Sequence, residues 1–216
     1  MPQLSLSTSL AQLPRSAIYD DASSPAPSPL QTEPPAQIAE NVFLGDLAAA
    51  ESPDVLATLG ITHVLSVMSG HVALPPSTDL PHLGPYRPLQ RCQVSVQDHP
   101  FVELASHLPR TTAWIATALH DPHARVLVHC VQGISRSATV AAAYLMATKG
   151  LSPADAVARV KQLRHCANPN KGFRDQLLEY EQCLLKIRAR EHYTHTHAHA
   201  HAHHAHSYRP GRGDLR

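Results

Sequence analysis

The chain reads as an α/β domain with a mainly parallel central sheet of about five strands flanked by helices. Three observations predict this. Apolar and β-branched runs of strand length alternate with helical patterns between residues 36 and 188. One run, "RVLVHC" at 125–130, is apolar without alternation, as a strand covered on both faces requires. Ser-Pro helix starts recur between the runs, at Ser52-Pro53 and Ser152-Pro153.

Taken in order, "NVFLG" (41–45) predicts a short strand. "SPDVLATLG" follows as a helix, with Ser52 as N-cap, Pro53 at the first helical position and Gly60 closing it. "ITHVLSV" (61–67) is β-branched and reads as the next strand. A Pro-rich loop (74–88) leads to a further strand, "RCQVSV" (91–96). A helix then runs to about residue 120; Pro109 is tolerated only in a first turn, which predicts Ser106 as its N-cap. After the 125–130 strand, "SATVAAAYLMATK" (137–149) is apolar all round and predicts a buried helix. "SPADAVARVKQLR" (152–164) is another helix. The last one places Phe173, Leu177, Tyr180, Leu184 and Ile187 on one stripe, with Asn170 as its cap.

Both ends differ in composition. Residues 1–35 form a Pro/Ser/Ala-rich leader with too little apolar surface to offset its ordering entropy, so disorder is expected there; Ser24 and Ser28 each precede proline and fit either a solvated spacer or proline-directed phosphorylation. Residues 189–216 form a second tail, also expected to be disordered. Its segment 192–207 carries eight of the seventeen histidines. In an extended chain His195, His197, His199, His201 and His203 would line one edge, a weak site for zinc, copper or nickel; the alternative is a low-complexity tail without a ligand.

With 43% hydrophobic residues the middle of the chain can build a core, and a net charge of +1 without basic runs argues against nucleic acid or an anionic membrane as partner. No apolar stretch reaches the length of a membrane span, and the N-terminus lacks the pattern of a secretory signal. Cys92, Cys130, Cys166 and Cys183 show no paired spacing, so reduced thiols in an intracellular, cytoplasmic or nuclear, setting are expected.

The chemistry concentrates in "VHCVQGISRS" (128–137), where a buried strand gives way to a buried helix. A loop there turns the backbone N–H groups of Val131, Gln132, Gly133, Ile134, Ser135 and Arg136 toward one point, beside the positive end of a helix dipole. Gly133 permits the tight turn, and Arg136 offers a planar fork for two phosphate oxygens. Cys130 at the centre of these donors is expected to be a thiolate, placed for in-line attack on phosphorus. His129 reads as a hydrogen-bonded scaffold residue that tunes the sulfur. Two readings of Ser137 stand: a helix cap, or a hydroxyl that donates to the sulfur as the thiolate departs.

These residues resemble the His-Cys-x5-Arg-Ser/Thr signature of the cysteine-dependent protein tyrosine phosphatases. "GISRSATVAAAYLM" (133–146), "NPNKGFRDQLLEYE" (168–181) and "ITHVLSV" are most similar to the dual-specificity phosphatases, and the likeness spans about 37–187. It implies a general-acid aspartate some thirty residues before the cysteine, which "VSVQDHP" supplies as Asp98; Cys130, Arg136, Asp98, Ser137 and His129 would form the catalytic set, without metal or cofactor. It further implies phosphotyrosine, phosphoserine and phosphothreonine proteins as substrates, kinases among the candidates, and a stand-alone, atypical member of the group. The loop residues between Cys130 and Arg136 are uncharged, which disfavours lipid or RNA phosphates. A phosphoprotein-binding pseudophosphatase is the alternative. The chain departs from the family in its long 74–88 segment, expected to border the cleft, and in Pro109. Cys92 stands as either a buried structural residue or a resolving thiol for oxidised Cys130.

Overall fold

A central strand with helices over both faces organises the molecule. The computed structural model of the chain describes residues 33–84 and 87–205, with backbone alone from 191 onward. The strands β1 (Ala36–Ala39), β2 (Val42–Gly45), β3 (His63–Val67), β4 (Gln90–Val94) and β5 (Val126–His129) form one sheet in the order β1-β2-β5-β3-β4. All neighbours are parallel except β1 and β2. The antiparallel edge strand β1 completes the expected five and is not announced by local periodicity.

The buried strand β5 alternates its side chains between two cores. Val126 and Val128 join a core built with α3 (Leu108–Ala118), α4 (Arg136–Lys149), α5 (Pro153–Leu163) and α6 (Lys171–Ala205). Leu127 faces the other side, where Leu56 of α2 (Pro53–Leu59), Ile61, Leu80 and Leu83 pack. Helix α4 buries Ala138, Val140, Ala141, Ala142, Leu145 and Met146, which accounts for its unbroken apolar sequence.

Local capping behaves as the residues dictate. Ser52 Oγ accepts from Val55 N at 3.3 Å, Ser152 Oγ from Asp155 N at 3.2 Å, and Asn170 Oδ1 from Phe173 N at 2.9 Å. Gly60 ends α2 in the left-handed region, at φ 64°. A short helix α1 (Leu47–Glu51) precedes α2, started by Asp46, whose Oδ1 accepts from Ala49 N at 2.9 Å.

Not every expectation holds. Ser106 is not the cap of α3: a 3-10 turn covers Ala105–His107 and Pro109 sits in the first turn of a helix that starts at Leu108. α3 has no side-chain cap, and carboxylate and amide groups take N–H groups at the start of the 3-10 turn instead. Glu103 Oε1 accepts from Ser106 N, and Gln176 Oε1, from α6, accepts from Leu104 N and Ala105 N. The described part of the 74–88 segment packs Leu80 and Leu83 into the second core, and its His82 Nε2 donates to Ile61 O at 2.7 Å, at the amino edge of the sheet. Ile187 is exposed, because α6 leaves the core after Leu184, which is still half-buried against it.

The domain limits also move. Glu33 and Pro34 belong to the fold, bonded through their carbonyls to Arg164, whereas the leader's serines lie outside the described residues. The backbone of α6 continues to Ala205, so the boundary expected at 188 falls inside a helix. A histidine- and alanine-rich continuation extends an established helix without a new nucleation step. Histidines in this stretch therefore follow a helical rather than an alternating spacing. Among the described residues no helix is long and apolar enough to cross a membrane.

β5 ends in a fully buried imidazole. His129 is paired in register with Ser66 of β3, and Ser66 Oγ lies 2.7 Å from its Nε2. Its Nδ1 lies 3.3 Å from Cys130 O. A carbonyl only accepts, so Nδ1 carries the proton and Nε2 accepts from the Ser66 hydroxyl. Burial pushes the pKa of His129 down to about 4, against weaker opposing effects of the Cys130 carbonyl, Glu51 and Asp46. The unfolded chain binds this proton below about pH 6.5 and the folded one does not. Stability is thus whole above pH 6.5 and falls by up to about 3 kcal/mol as pH drops toward 4. Urea denaturation across this range should show the loss in the wild type and a flatter profile in His129→Gln.

Candidate active site

The loop after β5 emerges at the carboxyl edge of the sheet, between the ends of β2 and β3, since His129 is in register with both Gly45 and Ser66. Cys130 is buried at its start. Its Sγ accepts from Gly133 N and from Ser137 Oγ, each at 3.2 Å, so the sulfur faces the inside of the loop. Of the two readings of Ser137, the hydroxyl on sulfur is the one the structure places; it lies at the second position of α4 and caps nothing.

The loop's peptide groups are oriented from outside. Cys130 O accepts from His129 Nδ1 at 3.3 Å, Val131 O from Leu47 N at 3.2 Å, Gly133 O from Arg164 Nε at 3.2 Å and Ile134 O from Asn168 N at 2.8 Å. In a trans peptide the N–H points opposite to the C=O. These four bonds therefore turn the N–H groups of Val131, Gln132, Ile134 and Ser135 inward. None of those four donates to an acceptor among the described residues. Gly133 has φ 68°, and a Cβ there would come within 2.5 Å of Gly45 O, so this position requires glycine.

Arg136 opens α4 and closes the cup. Its Nη1 donates to Val96 O at 3.2 Å, while Nε is buried without a hydrogen-bond partner among the described residues. Asp98 Oδ2 is the nearest carboxylate oxygen, at 3.6 Å from that Nε. A buried, unpaired guanidinium N–H beside a ring of free amides fits a tetrahedral oxyanion.

Asp98 is held over the loop by two donors to one oxygen: Ser135 Oγ at 2.7 Å and Asn170 Nδ2 at 2.9 Å, both to Oδ1. Oδ2 accepts no hydrogen bond among the described residues and lies 3.6 Å from Arg136 Nε. The acid loop is in turn fastened to α6. Gln176 Nε2 donates to Val102 O at 2.8 Å, and a Cβ on Gly172 would overlap the Pro100 carbonyl, so the loop rests directly on the helix backbone. The structure thus gathers Cys130, Arg136, Asp98 and Ser137 at one place, with His129 behind the loop, outside the cup.

Asn170, Gly172, Gln176 and Arg164 are functional positions that the motif reading left out. Asn170 was expected only as a cap; its amide serves both ends, capping with Oδ1 and holding Asp98 with Nδ2. The signal lay in "NPNKGFRDQL", where asparagine, glycine and glutamine coincide within seven residues.

The four cysteines are unpaired. Cys92 is in register with Leu65, and Leu65 with Val128, so β3 separates Cys92 from β5. Two interstrand steps of about 4.8 Å put its backbone roughly 10 Å from that of Cys130's strand. That exceeds the reach of a disulfide, and the resolving-thiol reading is set aside. Burial raises the pKa of the Cys92 thiol, against a weaker lowering by Arg110, as expected for a structural residue.

Comparisons with known proteins agree with this geometry. Residues 42–183 match the family described as the catalytic domain of dual specificity phosphatases. Mouse dual specificity protein phosphatase 13B is 38% identical over 152 residues, 69% of this chain and 74% of the relative. Human dual specificity phosphatase 28 is 39% identical over 164 residues, 76% of this chain and 84% of the relative. The crystal structure of a mouse putative dual specificity phosphatase complexed with zinc tungstate superposes with a TM-score of 0.63 at 35% identity, covering 76% of this chain and 97% of the other. The chain belongs to the dual specificity phosphatase family.

Proposed function

We propose that the protein dephosphorylates phosphotyrosine and phosphoserine/phosphothreonine proteins through a phosphocysteine intermediate. The observation that carries this is the unpaired, buried Nε of Arg136 facing the same cup as a sulfur that already accepts two hydrogen bonds. A phosphate monoester dianion seated there meets the free amides of Val131, Gln132, Ile134 and Ser135 and the guanidinium of Arg136.

The Cys130 thiolate then forms an S–P bond as the ester P–O bond breaks, and Asp98 Oδ2 delivers its proton to the departing alcohol oxygen. In the second half, Asp98 takes a proton from water as its oxygen attacks phosphorus. The S–P bond breaks, and the sulfur leaves as a thiolate with the Ser137 hydroxyl donating to it. Inorganic phosphate is released and the enzyme returns to its starting state.

Substrate breadth follows from the loop's side chains. Val131, Gln132, Ile134 and Ser135 bring no charge, so binding strength rests on one phosphoryl group and its amides rather than on a multiply charged ligand. Phosphoproteins are the matching class, with protein kinases a candidate subset. The mouse neighbour's tungstate, a tetrahedral oxyanion, fits the same chemistry.

Wild-type protein should hydrolyse an aryl phosphate, and Cys130→Ser should abolish turnover. Asp98→Ala should cost about 10²- to 10⁴-fold in kcat, more with a phosphopeptide than with an aryl ester whose phenol leaves unaided. Phosphopeptide binding by wild type without any turnover would turn the assignment to a pseudophosphatase. A pull-down with the Asp98→Ala protein then identifies the physiological phosphoproteins.

Gly172→Ala tests how the acid is held. Its Cβ pushes on the Pro100 carbonyl and lifts the acid loop, so kcat should fall toward that of Asp98→Ala, while iodoacetamide labels Cys130 at the wild-type rate. Equal loss of labelling would show that the nucleophile loop, not the acid loop, had moved.

A further inference from the structure

Arg164 is the largest side chain wholly withdrawn from solvent, and it lies outside the cup. Its Nε donates to Gly133 O at 3.2 Å; its Nη1 donates to Glu33 O at 3.0 Å and Pro34 O at 2.9 Å; its Nη2 stands 4.0 Å from Asp46 Oδ2. Four peptide carbonyls of the catalytic loop are clamped outward, and Arg164 supplies one of the two side-chain clamps, on the peptide that carries the Ile134 N–H. That peptide is the one most prone to turn over, because it follows a glycine. Turned over, it would put a carbonyl oxygen into the anion cup in place of a donor, replacing attraction by repulsion.

The guanidinium is able to do this because its far side is anchored. Two carbonyls of the segment before β1 fill Nη1, and Glu33 Oε1 also accepts from Cys166 N at 3.1 Å, two residues after the arginine in sequence. The planar fork spans from the N-terminal segment to the catalytic loop, a reach that an ammonium with one centre lacks.

We propose that Arg164, anchored by the backbone of Glu33 and Pro34, is a positioning residue that holds the Gly133–Ile134 peptide in the orientation that binds the substrate's phosphoryl oxygens. The proposal rests on the phosphatase reading above. It places control of oxyanion affinity partly in the segment that leads into β1.

The test is inhibition by vanadate, a phosphate-like oxyanion, measured in the full chain well below its melting temperature. Arg164→Lys should raise the inhibition constant about tenfold and Arg164→Met more, with a parallel loss in kcat/KM for the aryl phosphate. Iodoacetamide labelling of Cys130 should be unchanged, since neither donor to its sulfur is touched. Ile61→Val, in the second core, lowers the melting temperature without touching the loop and should leave the constant unchanged. Should both arginine variants fail to fold, Glu33→Ala decides, because it loosens the same segment at a partly exposed position; a rise of about threefold is expected. Folded variants with inhibition constants within twofold of wild type overturn the proposal, as does an unmoved Glu33→Ala. A wild-type protein that neither turns over the ester nor binds vanadate removes the phosphatase reading itself, whereas normal turnover with unmoved constants removes only the role of Arg164.

Discussion

Peptide dipoles that converge on one point repel each other, and a loop that gathers them has to be held in that state from behind. In this protein the restraint is a set of outward carbonyl bonds at Cys130, Val131, Gly133 and Ile134, each from a different part of the chain: the end of β5, the start of α1, α5's last turn and the approach to α6. The sheet makes this arrangement available. Because β5 lies between β2 and β3, its loop exits where segments following both neighbours can reach it. Loss of any clamp frees a peptide to relax toward its own electrostatic preference, away from the phosphate-binding shape.

The acid and the nucleophile belong to different loops, and their alignment depends on α6. Gln176, Gly172 and Asn170 all lie in the first turns of that helix or at its cap, and they bind Val102, Pro100 and Asp98 respectively. Ser135 links the two loops directly: it accepts from Asn170 N and donates to Asp98. Its place in the nucleophile loop therefore serves two purposes, a backbone donor for phosphate and a side-chain donor for the acid. The hydrophobic stripe Phe173, Leu177 and Tyr180 seats the helix, and so sets the height of Asp98 above Cys130.

Features carried by contiguous residues were legible in the sequence. Ser52-Pro53 and Ser152-Pro153 cap helices through their own hydroxyls, β5 is unbroken because both its faces are covered, and Cys130 and Arg136 are set by loop length alone. Other features depend on partners far along the chain, and local periodicity carries no trace of them. The 3-10 turn that leads into α3 is held by a glutamine some seventy residues later, and α3 itself has no side-chain cap, so Ser106 looked like the cap when it was not. β1 is a strand only because β2 lies beside it. Arg164 looks like a surface residue at the end of an amphipathic helix, yet the fold buries it against carbonyls contributed from more than a hundred residues upstream. Asp98 is intermediate: its spacing suggested a role, but what holds it became visible only with α6 in place.

The site is bought with stability elsewhere. A left-handed glycine, a guanidinium nitrogen without a partner, a second arginine withdrawn from water and an imidazole kept neutral are each unfavourable in isolation. They are tolerated because two apolar cores grip β5 from both faces and because most of their hydrogen bonds are made. The exception is informative. Gly133 O and Ile134 O are satisfied, Arg164 is satisfied on two sides, and His129 is satisfied at both nitrogens, whereas Arg136 Nε and the inward amides are not. Among the described residues Arg136 Nε is the one buried side-chain nitrogen or oxygen without a hydrogen-bond partner, and it lies beside the four inward amides, while the four carbonyls on the loop's outside are bonded. Such a division is what a surface selected for an anion requires, since only a ligand with several acceptor oxygens can complete it.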